Sequence, residues 1–136
     1  MAAAFGAILA TIITLDIPWV TINKTYGVYK GKVNGSVTCP YRVAAIWLII
    51  ACLEAGALTY VVQRAESHTM AILHGAFLGL TVYWTFNGTS LATFPNWGWK
   101  TALVDTVWGS VLLGTASVVG YTVYKAVAER SERSPE

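Results

Sequence analysis

Four long apolar runs take up most of this chain and limit what it can fold into. They cover residues 2–22, 43–62, 69–92 and 102–124 of the 136-residue sequence. A helix needs about 20 apolar residues to cross ~30 Å of hydrocarbon, and each run has that length or slightly more. What remains is a loop, two short connections and a charged C-terminal tail at 125–136. We therefore predict one all-α domain over residues 1–136, an integral membrane bundle of four transmembrane helices.

The amino-acid composition argues against several classes of function. Charged residues are 12% of the chain and hydrophobic residues 55%, whereas a soluble domain has about 25% charged residues. The net charge is only +2 and no basic stripe occurs, so nucleic acid is not expected as a partner. Two histidines and no Cys/His cluster with zinc spacing argue against a metal or a haem, and we expect no cofactor. No nucleophile elbow or phosphate-binding glycine loop is present, which leans against an enzyme without excluding one.

Each apolar run contains one ionisable residue: Asp16, Glu54, His74 and Asp105. A charge at bilayer depth costs about 2.5–3.5 kcal/mol on insertion scales, so such a residue usually faces protein or water and has a partner. With a 1.5 Å rise per residue, both aspartates lie ~5–9 Å from the same membrane surface and Glu54 lies near the midplane. His74 lies about two turns from the opposite surface. Glu54 and His74 are therefore candidates for a relay that starts at the aspartates.

Polar and aromatic residues concentrate in the half of the bundle that holds the aspartates, called here the aspartate half. All six tryptophans fall in it or in its loops. For Trp47, Trp97 and Trp99 we expect an interfacial belt, whereas Trp108 lies deeper. We predict a buried polar cluster of Asp16, Trp19, Asn87, Ser90, Asp105 and Trp108. Carboxylates and indoles together can hold a cation by charge and ring quadrupole, or they can form a hydrogen-bonded plug between helices, and both interpretations stay open.

Small residues recur at the spacing that lets membrane helices approach closely. The third run has Gly75 and Gly79, and the fourth has two pairs, Ser110/Gly114 and Ala116/Gly120. Two pairs on one helix exceed what a single helix contact needs. This surplus predicts a partner protein in the membrane.

Two segments resemble a known family. They are Leu15-Asp-Ile-Pro-Trp19 and the stretch from His74 to Thr93, which is followed by Trp97 and Thr101–Gly109. Together they are similar to domain-of-unknown-function family 2177, a set of predicted four-helix membrane proteins. The resemblance covers nearly the whole chain and implies a polar cluster built from helices one, three and four. This chain departs from the pattern at Asn87, where an aspartate is usual, and at Ser90, where an asparagine is. The resemblance implies a fold and supplies no activity.

Three function classes follow from the sequence. We expect a non-catalytic accessory or structural subunit of a larger membrane complex, with the lipid bilayer and other membrane-protein subunits as partners. The alternative is a proton, ion or small-ligand permeation or binding protein that uses Asp16, Glu54, His74 and Asp105. A lipid-modifying membrane enzyme comes third, because no nucleophile–base pair can be identified.

The expected location is an integral membrane one, but the sequence does not identify the membrane. Five lysines and arginines border the aspartate side and four border the other side. So small a difference gives only a slight preference for the aspartate side facing the cytoplasm or matrix. An organellar inner membrane is compatible with these features.

Overall fold

The computed structural model describes residues 1–28, 30 and 40–133. Within that part of the chain there are four helices and no strand: α1 (Ala2–Thr25), α2 (Pro40–Arg64), α3 (His68–Thr93) and α4 (Trp99–Arg133). All four are long and apolar enough to cross a membrane. The prediction of an all-α bundle of four transmembrane helices is confirmed.

The helices extend beyond the apolar runs, most of all at the end of α4. The sequence analysis separates the charged segment after residue 124 from the fourth span as a tail, but α4 continues to Arg133. Its residues are mostly good helix formers. Opposite charges also fall four positions apart, as in Lys125/Glu129 and Glu129/Arg133, a spacing that supports a helix. Residues 134–136 lie outside the described part.

Helix α4 is the centre of the bundle and packs against each of the other three helices. Its longest contact is with α3, and α1 and α2 pack on its other side. Among the described residues, the backbones of α1 and α3 do not approach each other. A site that uses side chains of both α1 and α3 therefore has to form where these side chains reach α4.

The small residues of α4 are used inside this chain. A Cβ atom at Gly75 of α3 would lie 2.5 Å from Ser117 Cβ, and one at Gly79 would collide with the Gly109 carbonyl oxygen. On the other side of α4, Gly120 lies against Ile8 of α1 and Val62 of α2. The surplus of small residues that pointed to a partner is accounted for inside the chain, because α4 packs closely against the other helices. A partner protein itself stays a prediction.

The half of the bundle away from the aspartates, called here the apolar half, has a core of buried apolar side chains. Five large side chains there are completely buried: Ile8, Leu58, Val62, Leu112 and Leu113. The buried positions of α2 begin only at Ala51, and residues 43–50 are all exposed. Helix α2 therefore packs through its C-terminal half and leaves a groove beside α1 in the aspartate half.

Candidate functional site

The same short motif occurs on two antiparallel helices. Asp16 and Trp19 lie three residues apart on α1, and Asp105 and Trp108 have the same spacing on α4. Residues three apart share one face of a helix. Since Gly120 contacts Ile8 while Trp108 contacts Asp16, α1 and α4 run in opposite directions. The two motifs therefore face each other with reversed polarity.

The two motifs bind each other reciprocally. Trp108 Nε1 of α4 donates a hydrogen bond to Asp16 Oδ1 of α1 at 3.0 Å. The Trp19 indole of α1 in turn hydrogen-bonds the Asp105 carboxyl of α4. The indoles stack on each other, with ring centroids 4.4 Å apart and planes 7° from parallel. We call these four residues the indole–carboxylate clasp.

Helix α3 adds a second layer of donors to the clasp. Asn87 Nδ2 donates to Asp105 Oδ2 at 2.7 Å and to the Tyr83 carbonyl oxygen at 2.9 Å. The Tyr83 hydroxyl also interacts with the Asp16 carboxyl. Trp97 Nε1 donates to Asn87 Oδ1 at 3.0 Å. The Asp105 carboxyl thus has two side-chain donors and the Asp16 carboxyl has Trp108 with Tyr83 nearby, and the network joins α1, α3 and α4.

The two carboxyls of the clasp are buried, whereas its two indoles, Trp19 and Trp108, are half-buried. The exposed fraction is 8% for Asp16 and 3% for Asp105, and 0% for Asn87 beside them. Removing a carboxylate from water costs several kcal/mol. Hydrogen bonds to charged groups contribute about 1.5–3 kcal/mol each, so the donors to each carboxyl offset part of that cost. The arrangement can therefore stabilise both aspartates without a buried cation.

Glu54 lies outside this network. It is 9% exposed on α2 and interacts electrostatically with Asp16 and Tyr83. Among the described residues, no hydrogen bond or ion pair reaches its carboxyl. Every Lys, Arg and His side chain that the structure describes is exposed. Glu54 is therefore a buried acid next to a second acid, and no described cation is buried beside either.

A groove between α1 and α2 leads to Asp16, the first of these two acids. It has a volume of about 390 Å³, and Asp16 is its one charged lining residue among those described. The other lining residues are apolar except for one hydroxyl, and they are Ile12, Ile13, Ile17, Val20, Thr21, Ala44, Trp47, Leu48 and Ala51. Ile17 and Leu48 are also exposed to the outside of the bundle. The groove can therefore be reached from the surrounding lipid.

The structure brings most of the predicted site residues together. Asp16, Trp19, Asn87, Asp105 and Trp108 form one network. Ser90 is buried, three positions after Asn87 on the same face of α3. Among the described residues no group of three or more His, Cys, Asp or Glu side chains could hold a metal ion.

His74 is not part of the site. The buried face of α3 near it is made by Ala71, Gly75 and Gly79, which follow each other at helical spacing. His74 lies about 100° away from Gly75 around the helix axis and is exposed. The expectation that His74 faces inward as a relay partner of Glu54 is wrong. Helix α3 packs on α4 through its face of small residues, and His74 lies on a different face.

Two members of the network were missed or misplaced by the sequence analysis. Trp97 was expected in an interfacial belt, but it is 8% exposed and donates to Asn87. Trp47 and Trp99 are exposed, as a belt requires. Tyr83 was not predicted in the cluster, although it lies four residues before Asn87 and so shares its face. The motif Asp-x-x-Trp at 16–19 is repeated at 105–108. This repetition was the sequence feature that could have predicted the contact between α1 and α4.

The comparisons with known proteins agree with the architecture. The family model described as predicted membrane protein (DUF2177) matches residues 1–122. No curated protein and no solved structure matches the chain. The matched range includes the clasp, Glu54 and the groove, and it ends within α4.

Proposed function

We propose that this chain, which belongs to the DUF2177 family of predicted membrane proteins, binds a proton or a small cation inside the membrane through Glu54 and Asp16. The observation that carries the proposal is the position of Glu54. Glu54 is only 9% exposed, interacts electrostatically with Asp16 and receives no hydrogen bond from the described residues. An ionised carboxylate in that position is several kcal/mol unfavourable unless something compensates its charge.

Charge balance explains why a ligand is needed. The Asp16 and Asp105 carboxyls have donors from Trp108, Asn87 and Trp19, and the Tyr83 hydroxyl interacts with Asp16. Glu54 has none among the described residues, and no described basic side chain is buried near it. A bound proton or a small cation shared with Asp16 removes the deficit. The clasp then holds Asp16 in place while Glu54 completes the site from α2.

Binding is better supported than permeation. A path from Glu54 to the far surface would have to cross the apolar half. Its core is filled by completely buried Leu58, Val62 and Leu113. His74, the expected next step, is exposed on the outside of α3. Among the described residues, the opening to the proposed site is the groove in the aspartate half.

The experiment is infrared spectroscopy of the carboxyl groups in lipid nanodiscs, recorded with and without methylammonium and over a range of pH. Glu54→Gln should remove one buried carboxyl signal together with its response to methylammonium or to pH. Glu66→Gln is the matched control, because Glu66 is exposed in the connection after α2. An unchanged buried-carboxyl signal in Glu54→Gln would contradict the proposal.

A role as an accessory subunit is the second candidate, and the C-terminal extension of α4 favours it. The helix continues to Arg133, and Lys125, Glu129, Arg130, Glu132 and Arg133 are all exposed. Helix ends without contacts usually fray. A helical extension with both signs of charge suits a polar contact with another protein at that membrane surface.

The accessory role has its own test. The chain would be purified in mild detergent from its native membrane, and its native mass compared with that of a variant with Glu129, Arg130, Glu132 and Arg133 all changed to Gln. A defined larger complex that dissociates in the variant supports the role. Migration of the unsubstituted chain alone or as a small homo-oligomer contradicts it.

A further inference from the structure

We infer that the ligand of this site is a primary alkylammonium amphiphile, whose head binds Asp16 and Glu54 and whose tail lies in the groove between α1 and α2. The inference rests on the proposed cation binding and adds the class of ligand and its route of entry. Its basis is that a single groove combines apolar walls, a buried carboxyl and an opening toward lipid.

The groove has the dimensions of a small-molecule site. Its volume of about 390 Å³ lies within the ~300–1,000 Å³ range of such sites. On α1 the lining runs from Ile12 to Thr21, which corresponds to ~13 Å along the helix axis. Asp16 lies near the middle of that length. A head group bound there has apolar wall toward the membrane centre and the Thr21 hydroxyl toward the surface.

The charge in the groove selects the sign of the head group. Asp16 is its only charged lining residue among those described, and Glu54 of α2 adds a second acid that interacts electrostatically with Asp16. An anionic head group would add to this negative charge. A neutral head group would leave the charge of Glu54 uncompensated. A cationic head group is therefore favoured.

Hydrogen-bonding capacity selects a primary ammonium among cations. A carboxylate has about four acceptor positions, and Asp16 uses one of them for Trp108, with the Tyr83 hydroxyl nearby. A primary ammonium has three N–H donors, enough for Asp16 and Glu54 together. A quaternary ammonium has no N–H and could not supply the hydrogen bonds that Glu54 lacks.

The apolar walls explain why the ligand carries a tail. Ile12, Ile13 and Leu48 line the groove, and burial of apolar surface contributes roughly 25 cal/mol per Å². Methylammonium has no tail and would make only the contacts with the carboxyl groups. Because the rim residues Ile17 and Leu48 are exposed, an amphiphile dissolved in the bilayer could enter sideways without crossing the bundle.

The test is saturable binding of radiolabelled dodecylammonium to the protein in zwitterionic nanodiscs, after subtraction of binding to empty nanodiscs. Competition by methylammonium and by dodecanol separates the contribution of the charge from that of the tail. Dodecylammonium should bind at least about tenfold more tightly than either competitor, since one charge-assisted hydrogen bond or a few buried methylenes each correspond to about one factor of ten.

Three variants make the result specific. Asp16→Asn should weaken dodecylammonium binding about tenfold or more, and Glu66→Gln is the control that leaves it unchanged. Ala44→Phe keeps both carboxyls but fills the groove, because Ala44 lines it and is itself exposed. It should abolish the advantage of the long chain, so that dodecylammonium binds no better than methylammonium. This variant keeps the test valid if Asp16→Asn does not fold.

The outcomes separate this inference from the proposed function. If methylammonium perturbs Glu54 but dodecylammonium binds no more tightly, or Ala44→Phe has no effect, the inference fails and cation binding stands. If dodecanol binds as well as dodecylammonium, the groove holds lipid tails only and the inference fails. If neither amine perturbs Glu54 and its carboxyl does not respond to pH, the inference and the proposed function fail together.

Discussion

The two halves of this bundle are held together by different forces. In the apolar half, Gly75 of α3 lies directly against Ser117 and the Leu113 carbonyl of α4, and completely buried Leu58 and Leu112 fill the space between helices. In the aspartate half, α1 and α4 are joined by hydrogen bonds between indoles and carboxyls. Close packing needs only small residues at the right spacing, whereas a buried polar network needs every member to be paired.

This difference indicates where function can reside. The core of the apolar half is filled by completely buried side chains such as Leu58, Val62 and Leu113, so it serves as a scaffold. The aspartate half keeps one buried acid, Glu54, without a described hydrogen bond, and it also has the groove. An acid without a described hydrogen bond beside a hydrogen-bonded network suggests that its partner comes from outside the chain.

The largest effect should come from breaking the scaffold. In Gly75→Leu the new side chain would meet Ser117 Cβ at 2.5 Å and the Leu113 carbonyl oxygen at 2.7 Å. Overpacking costs about 1–3 kcal/mol or more when backbone has to move. We expect a marked fall in thermal stability in detergent, measured by circular dichroism. The control is Gly56→Leu, because a Cβ at Gly56 has no neighbour within 4 Å. Equal stability of the two variants would show that close packing is not what holds this half together.

A smaller effect should come from opening the clasp. Trp19→Phe and Trp108→Phe each keep a stacked ring but remove one indole N–H from a carboxyl. Each should destabilise the protein by about 1–3 kcal/mol, the cost of an unsatisfied buried group. The double variant should be non-additive, because both indoles belong to one network. Trp99→Phe is the control, since Trp99 is exposed. Strict additivity in denaturation experiments would mean that the two motifs act independently.

A similar or slightly smaller effect is expected from Asn87→Asp, which brings this position back to the pattern of the family that the sequence resembles. The change removes the Nδ2 donor that reaches Asp105 at 2.7 Å and brings another acid beside that carboxyl. We expect a loss of about 1–3 kcal/mol in unfolding free energy at neutral pH. Asn96→Asp in the exposed α3–α4 connection is the control. A gain in stability would mean that the site accommodates a third carboxyl, and a cation shared among all three would then be the explanation to test.

The smallest effect should come from His74→Ala. His74 is exposed, and surface substitutions usually change stability by no more than about 0.5 kcal/mol. The response of the Glu54 carboxyl to methylammonium or pH should also stay the same. If that response were lost in His74→Ala, the two residues would be coupled and the relay interpretation would have to be restored.

The fold could be predicted far better than the site. Runs of apolar residues determine four spans because a bilayer requires internally bonded helices, and the depths of Asp16 and Asp105 follow from the helical rise. Which face each residue occupies depends on how α3 and α4 pack, and this is why His74 was placed inward and Trp97 in a belt. The small residues of α4 were visible in the sequence. That they let α4 pack against the three other helices follows only from the central position of α4 in the bundle.

The most direct test of the account is the carboxyl carbon of Glu54, observed by solid-state NMR in lipid with ¹³C-labelled glutamate and assigned by its loss in Glu54→Gln. The account predicts that methylammonium or a change of pH shifts the Glu54 resonance under conditions in which the resonances of exposed Glu66 and Glu129 stay together. A Glu54 resonance that coincides with those of the exposed glutamates and does not respond separately would contradict cation or proton binding at this site.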